Sequence, residues 1–300
     1  MKRLTENIDY DYIKLKNLIN SICERYPFVG KKVIGKSCGG RDIIALSIGK
    51  GEEYVLFAAA FHGSEHITTN ILMMFFEDLC LAVSTGLSLA GIDMQKGLFG
   101  RGIIVIPCVN PDGAEISIRG KAGAGERAEF ISKISKEDYT HYNANLRGVD
   151  INHNFNADWE ILRKSEIKSG IFGPAPTRFG GERPESEPET AALCDLCRTK
   201  RMRHVLALHS QGEVIYWTFG DKKPPKSERM AQIMATSSGY ALDVPLGLAV
   251  GGGFKDWFIA EFNRPGFTVE VGSGKNPLPI ENSLNIYKGI CEMLSLSAIM

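Results

Sequence analysis

Apolar and polar positions follow two rhythms along this chain. Over 9–25, Tyr12, Leu15, Leu18, Ile19 and Ile22 recur at helical spacing, which predicts an amphipathic helix. The runs KKVIGKS and DIIALSIG, with Gly39-Gly40 between them, predict a hairpin. YVLFAAAF at 54–61 and GIIVIPCV at 102–109 are continuous apolar runs, as strands covered on both faces require. A long helix is expected over 65–85, and a turn at Asn110-Pro111-Asp112-Gly113. Further on, helices are expected at 187–199, 227–240, from near Asp256 and over 282–297, with strands at HVLALHS (204–210) and FTVEVG (267–272). The intervening 114–190 is rich in Gly, Pro and charge and reads as a loop-rich excursion. Strands alternating with helices predict an α/β fold: one domain over 1–300, with a central mixed, largely parallel sheet flanked by helices on both faces.

Charge narrows the partners. Lys and Arg together number 35, as do Asp and Glu, so the formal net charge is 0. That balance argues against a dedicated nucleic-acid binder or a polybasic membrane anchor. The cluster Arg198, Lys200, Arg201 and Arg203 reads as a solvated helix end, where cations are favoured. No stretch reaches the ~18 uninterrupted apolar residues of a spanning helix, so no membrane span is expected. A polar start without an apolar leader and seven scattered cysteines together predict free thiols in a reducing compartment, the cytoplasm. Cys194 and Cys197, at helical spacing, read as a structural pair.

Four places carry groups suited to chemistry. The run 54–61 leads into His62, with Glu65 three residues on, and imidazole nitrogen and carboxylate oxygen are both good zinc ligands. His209 ends a second apolar strand, and ligands gather at the carboxyl ends of parallel strands. His62, Glu65 and His209 are therefore a candidate metal set; the alternative is strand-end histidines with no metal. By period-two alternation Glu270 faces away from Phe267, Val269 and Val271, a costly place for a carboxylate unless it is paired or used. It is either a catalytic base or part of a solvated edge strand. In Arg147-Gly148-Val149-Asp150-Ile151-Asn152-His153, Asp150 could orient a ligating imidazole and Arg147 could hold a carboxylate or a developing oxyanion. A hydrogen-bonded loop is the alternative.

In order, His62-x-x-Glu65, Asn110-Pro111-Asp112-Gly113, Gly148-Val149-Asp150-Ile151-Asn152, His209-Ser210, Asp256-Trp257 and Glu270 resemble the motifs of the zinc carboxypeptidases, the carboxypeptidase A-like metallopeptidases. The resemblance spans most of the chain. It implies one zinc on His62, Glu65 and His209, Glu270 as general base and acid, and a cis peptide after His209.

The departures point to a substrate. The family usually has Asn-Arg, which binds a free C-terminal carboxylate, where this chain has Asn152-His153; ordinary carboxypeptidase action is disfavoured. The tyrosine of the digestive enzymes is Leu248 here, and the residue before Asp256-Trp257 is Lys255, suited to a negative group. His209-Ser210-Gln211-Gly212, Ile215-Tyr216-Trp217, Phe254-Lys255-Asp256-Trp257, Arg264-Pro265-Gly266-Phe267 and Asn276-Pro277-Leu278-Pro279 resemble the bacterial γ-D-glutamyl-diaminopimelate peptidases. That likeness implies a muropeptide or small peptide substrate. Lys255 would pair with the side-chain carboxylate of diaminopimelate, Asn152 and His153 would hold a substrate carboxylate, and Arg147 would stabilise the oxyanion. A zinc deacylase of small N-acyl amino acids and a non-catalytic wall-peptide binder are the other readings.

Overall fold

The computed structural model describes residues 3–300. Eight strands occur in chain order: β1 (Gly30–Lys36), β2 (Asp42–Ile48), β3 (Tyr54–Ala59), β4 (Gly102–Ile106), β5 (Met202–His209), β6 (Val214–Tyr216), β7 (Ala241–Asp243) and β8 (Gly266–Glu270). The helices are α1 (Tyr12–Arg25), α2 (Ile67–Thr85), α3 (Met94–Gly97), α4 (Pro111–Arg119), α5 (Ala128–Ser135), α6 (Trp159–Lys168), α7 (Pro188–Thr199), α8 (Ser227–Ser238), α9 (Phe254–Phe262) and α10 (Ser283–Ile299). One sheet holds all eight strands in the order β1-β2-β4-β3-β5-β8-β6-β7. The central strands β4, β3, β5 and β8 run parallel, while β1, β2 and β6 join antiparallel.

Strand alternation sends successive side chains to opposite faces. Val55, Phe57 and Ala59 enter a core with α1, α2, α8 and α10; Leu56 and Ala58 enter another with α7 and α9. Helices therefore cover both faces, which is why β3 and β4 read as unbroken apolar runs. β8 lies between β5 and β6, so the solvated-edge alternative for Glu270 does not hold. Phe267, Val269 and Val271 pack into the first core, and Glu270 points the other way. Gly63–Thr85 is long and apolar enough to cross a bilayer, a segment the run-length criterion passes over. It is mostly buried as the core helix of the first layer.

Two sequence expectations need correction, and two short strands are additional. Asn110-Pro111-Asp112-Gly113 is not a free turn but the start of α4: the Asn110 side chain accepts from the Gly113 N–H at 2.9 Å and Pro111 takes the first turn. The excursion 114–190 contains α5, α6 and most of α4, and Ile116, Ile131 and Tyr142 form a small core there. β6 and β7, three residues each, are too short for any periodicity to reveal.

Candidate metal centre and substrate cavity

The centre is assembled by strand ends. β3 and β5 are parallel and in register to Ala59 and Leu208, so His62 and His209 emerge on the same carboxyl edge. After β3 the chain turns through a short 3₁₀ turn, Gly63–Glu65. A Cβ on Gly63 would lie 2.3 Å from the Gly113 carbonyl oxygen and 2.5 Å from that of Tyr142, so only glycine lets the turn close against the start of α4. The turn brings Glu65 back between the imidazoles. Its Oε1 is 2.8 Å from His62 Nδ1 and its Oε2 is 2.9 Å from His209 Nδ1. One donor atom from each of the three residues falls within 4.8 Å of the others. The Ser210 N–H also donates to Glu65 Oε2, at 3.2 Å. Ser210 is fixed in turn by Asn276, whose Oδ1 accepts from the Ser210 hydroxyl at 2.8 Å. The Ser210–Gln211 peptide is cis, in the segment where the family resemblance implies one.

Asp150 stands behind His62. Its Oδ1 is 3.1 Å from His62 Nε2 and its Oδ2 accepts the Arg178 N–H at 2.8 Å. With Nε2 engaged by a carboxylate, Nδ1 is left to face Glu65 and a cation. The charges are mutually dependent. Burial opposes ionisation of His62, but Glu65 and Asp150 outweigh it and hold its pKa well above the ordinary value. Burial likewise opposes ionisation of Glu65 and Asp150; the imidazoles and hydrogen bonds win and hold both carboxyls below the usual range. Two imidazoles and a carboxylate, their donor atoms already facing one point and one imidazole backed by a second carboxylate, fit a tetrahedral zinc with an open position.

Glu270 is the register partner of His209 on the next strand. Its carboxyl makes no hydrogen bond among the described residues, and burial, reinforced by the charge of Glu65, pushes it up to about 8 against the opposing pull of His62. A cavity of about 430 Å³ opens over Glu270, His62 and His209.

Most of the residues singled out in the sequence line this cavity. Asn152 does so while its Oδ1 accepts from the Phe254 N–H at 3.0 Å, tying its turn to α9. His153 lines the wall with Nδ1 engaged by the buried Glu166 at 2.8 Å. Lys255 also lines it, its ammonium donating to the Thr218 carbonyl and the Asp256 carboxylate. Arg147 does not. The side chain of Asn145 accepts the N–H groups of Arg147 and Val149 at 2.9 and 3.1 Å, and this turn holds Arg147 half-exposed, 3.6 Å from Glu187. The oxyanion role expected of Arg147 therefore has no support in its position.

Sequence reasoning missed Arg178, Asn143, Tyr216 and Thr268, all of which line the cavity. Tyr216 and Thr268 lie within quoted motifs without an assigned role. Arg178 and Asn143 sit in the aperiodic excursion, where no pattern marks them. A second donor group, Cys38, Glu187 and Glu189, lies apart from the cavity lining. Hydrogen bonds occupy it: the Cys38 N–H donates to Glu189 at 2.9 Å, and Asn145 Nδ2 donates to Glu187 at 2.8 Å. All seven cysteines are free, and Cys194 and Cys197 are buried in the second core.

A His-Glu-His donor set at the carboxyl edge of a mixed sheet, beside a buried carboxyl, is the apparatus of a mononuclear metallohydrolase. The zinc carboxypeptidase family, M14, matches residues 15–289, and the chain belongs to it: it is a metallopeptidase of a family that uses one zinc. It is 37% identical over 283 residues to gamma-D-glutamyl-L-diamino acid endopeptidase 1 of Lysinibacillus sphaericus, covering 93% of this chain and 70% of that one. It is 27% identical over 171 residues to murein peptide amidase A of Escherichia coli, 55% of this chain and 56% of that one. Among solved structures it is similar to carboxypeptidase A of Helicoverpa armigera, with a TM-score of 0.74 at 18% identity, covering 97% of this chain and 73% of that one.

Proposed function

We propose that this chain hydrolyses the γ-D-glutamyl bond to a diamino acid, diaminopimelate in particular, in bacterial cell-wall stem peptides. The observation that carries the reading is its 37% identity to the Lysinibacillus endopeptidase over 93% of the chain. The cavity supports it, because Lys255 and Asp256 offer an ion pair at its wall. A side chain ending in an amino-acid head carries the complementary pair, carboxylate for Lys255 and ammonium for Asp256.

His62, Glu65 and His209 would hold one zinc, which when bound supplies Lewis acidity toward the scissile carbonyl and the attacking water. Asp150 keeps the His62 ring oriented through Nε2. Glu270 takes a proton from water on its carboxylate and returns it to the leaving amine. Its burial makes it a stronger base than a solvated glutamate, and a divalent cation at Glu65 favours its ionised form. Asn152 and His153 supply polar contacts to a substrate carboxylate on the same wall. Seven free thiols suit a reducing compartment, so the reading assigns the reaction to the cytoplasm, on soluble stem peptides.

The test is mass spectrometry of products from L-Ala-γ-D-Glu-diaminopimelate, with and without a chelator. Chelator-sensitive release of free diaminopimelate is expected. An intact tripeptide after prolonged incubation with zinc-loaded protein overturns the reading.

A further inference from the structure

Arg178 and Lys255 both line the cavity, Arg178 tied through Asp150 to His62 after β3 and Lys255 to Thr218 after β6, and their circumstances differ. On the side of β8 and β6, the ammonium of Lys255 is already engaged by Asp256 and by the carbonyl of Thr218, just past β6. On the side of β3, Arg178 lines the cavity with an exposed guanidinium that has no hydrogen bond, ion pair or ring contact among the described residues. Its backbone is fixed all the same. Arg178 has φ 65°, a conformation that side chains other than glycine seldom adopt, and its N–H is held by Asp150, the carboxylate behind His62. An unpaired fork of donors is thus carried on a backbone bonded to the support of the metal centre.

We propose that Arg178 receives the free α-carboxylate of the γ-linked glutamyl residue and so selects γ-glutamyl bonds over ordinary peptide bonds. The inference rests on the γ-glutamyl reading above and deepens it. The diamino-acid head, on the amine side of the scissile bond, engages Lys255. Arg178 is thereby left for the acyl residue. A glutamyl residue joined through its side chain keeps an ionised α-carboxylate beside that bond; a residue joined through its α-carbonyl has none. A guanidinium binds a carboxylate through two parallel N–H donors, a geometry that lysine cannot reproduce. His153, the sequence candidate for a carboxylate, has one ring nitrogen committed to Glu166.

The experiment compares two substrates, L-Ala-γ-D-Glu-diaminopimelate and its isoglutamine analogue, in which the α-carboxylate is a carboxamide. Zinc-loaded wild type, R178Q and R178K are assayed on both. Wild type is expected to favour the carboxylate by roughly tenfold or more in kcat/KM. R178Q should lose that preference, mainly through KM, with a loss on the carboxylate substrate that exceeds its loss on the carboxamide and with zinc content near wild type. R178K should restore part of it, with a steeper loss on adding salt. Equal wild-type rates on the two substrates, or an equal loss on both in R178Q, overturn the role of Arg178 and leave the γ-glutamyl reading standing. A wild type that cleaves neither overturns that reading and the proposal together.

Discussion

His209 and Glu270 are register partners at the ends of adjacent parallel strands. The His209 imidazole faces Glu65 at 2.9 Å; the Glu270 carboxyl makes no hydrogen bond among the described residues and faces the cavity. A single β-ladder therefore sets the spacing between a candidate metal donor and the acid beside it, and strand ends hold such spacings more rigidly than loops do.

Glu270→Gln should keep the fold and the metal but lose turnover. Removing a general base costs about 10²–10⁴-fold in rate. Steady-state kinetics beside metal analysis checks this, and activity near wild type with full zinc would remove Glu270 from the mechanism.

The same residue makes a pH prediction for the metal-free protein. Burial lifts Glu270 from 4.5 to about 8. A carboxyl whose pKa is raised on folding contributes stability that is fully present below the unfolded value and is lost as pH rises through the folded one. Metal-free wild type should therefore lose stability relative to E270Q between pH 4.5 and 8, by up to about 1.4 kcal/mol per pH unit. Thermal melts of the two proteins across that window measure it, and a pH-independent difference would contradict it.

Asp150→Asn should weaken zinc binding by about 10–100-fold, since it removes the carboxylate behind His62. Competition against a chromophoric chelator reads the affinity directly; an unchanged affinity would show that Asp150 does not support the site.

Lys255→Met should erase a preference for diaminopimelate over lysine at the third position of the stem peptide. The two differ by the side-chain carboxylate, and a loss of roughly tenfold in kcat/KM on the diaminopimelate substrate alone is expected. An equal loss on both would mean that Lys255 serves only to neutralise buried Asp256.

Glu77→Ala tests a contact remote from the chemistry. Its carboxylate accepts the N–H groups of Leu4 and Thr5 at 2.6 and 2.8 Å, the Thr5 hydroxyl at 2.9 Å and the Arg25 guanidinium at 3.2 Å. Breaking this buried network should destabilise by about 3 kcal/mol, with zinc content unchanged. A denaturant titration would show it as a lower midpoint.

Much of this architecture is legible in the sequence because it rests on periodicity and strand ends. Continuous apolar runs mark β3 and β4 as central, and alternation places Glu270 opposite Val269 and Val271. His62, with Glu65 three residues on, and His209 stand out as candidates because apolar strands lead into the two histidines, and the family resemblance is what assigns them a zinc. Asn110-Pro111 is ambiguous, since the same residues serve a turn and a helix start; the cap bond to Gly113 decides it. Arg147 and Arg178 lie in a region without period, where loop geometry alone decides which cation faces the cavity. Three residues of β6 carry too little alternation to be seen, although they place Thr218 against Lys255.

The claim on which the rest depends is that His62, Glu65 and His209 hold one zinc. X-ray absorption at the zinc edge on purified, zinc-loaded protein tests it, beside metal counts for the single alanine variants. One zinc per chain, with nitrogen and oxygen neighbours only and lost in each variant, is the predicted result. A sulfur neighbour, which would direct the metal to Cys38 with Glu187 and Glu189, or zinc retained in all three variants, would contradict it.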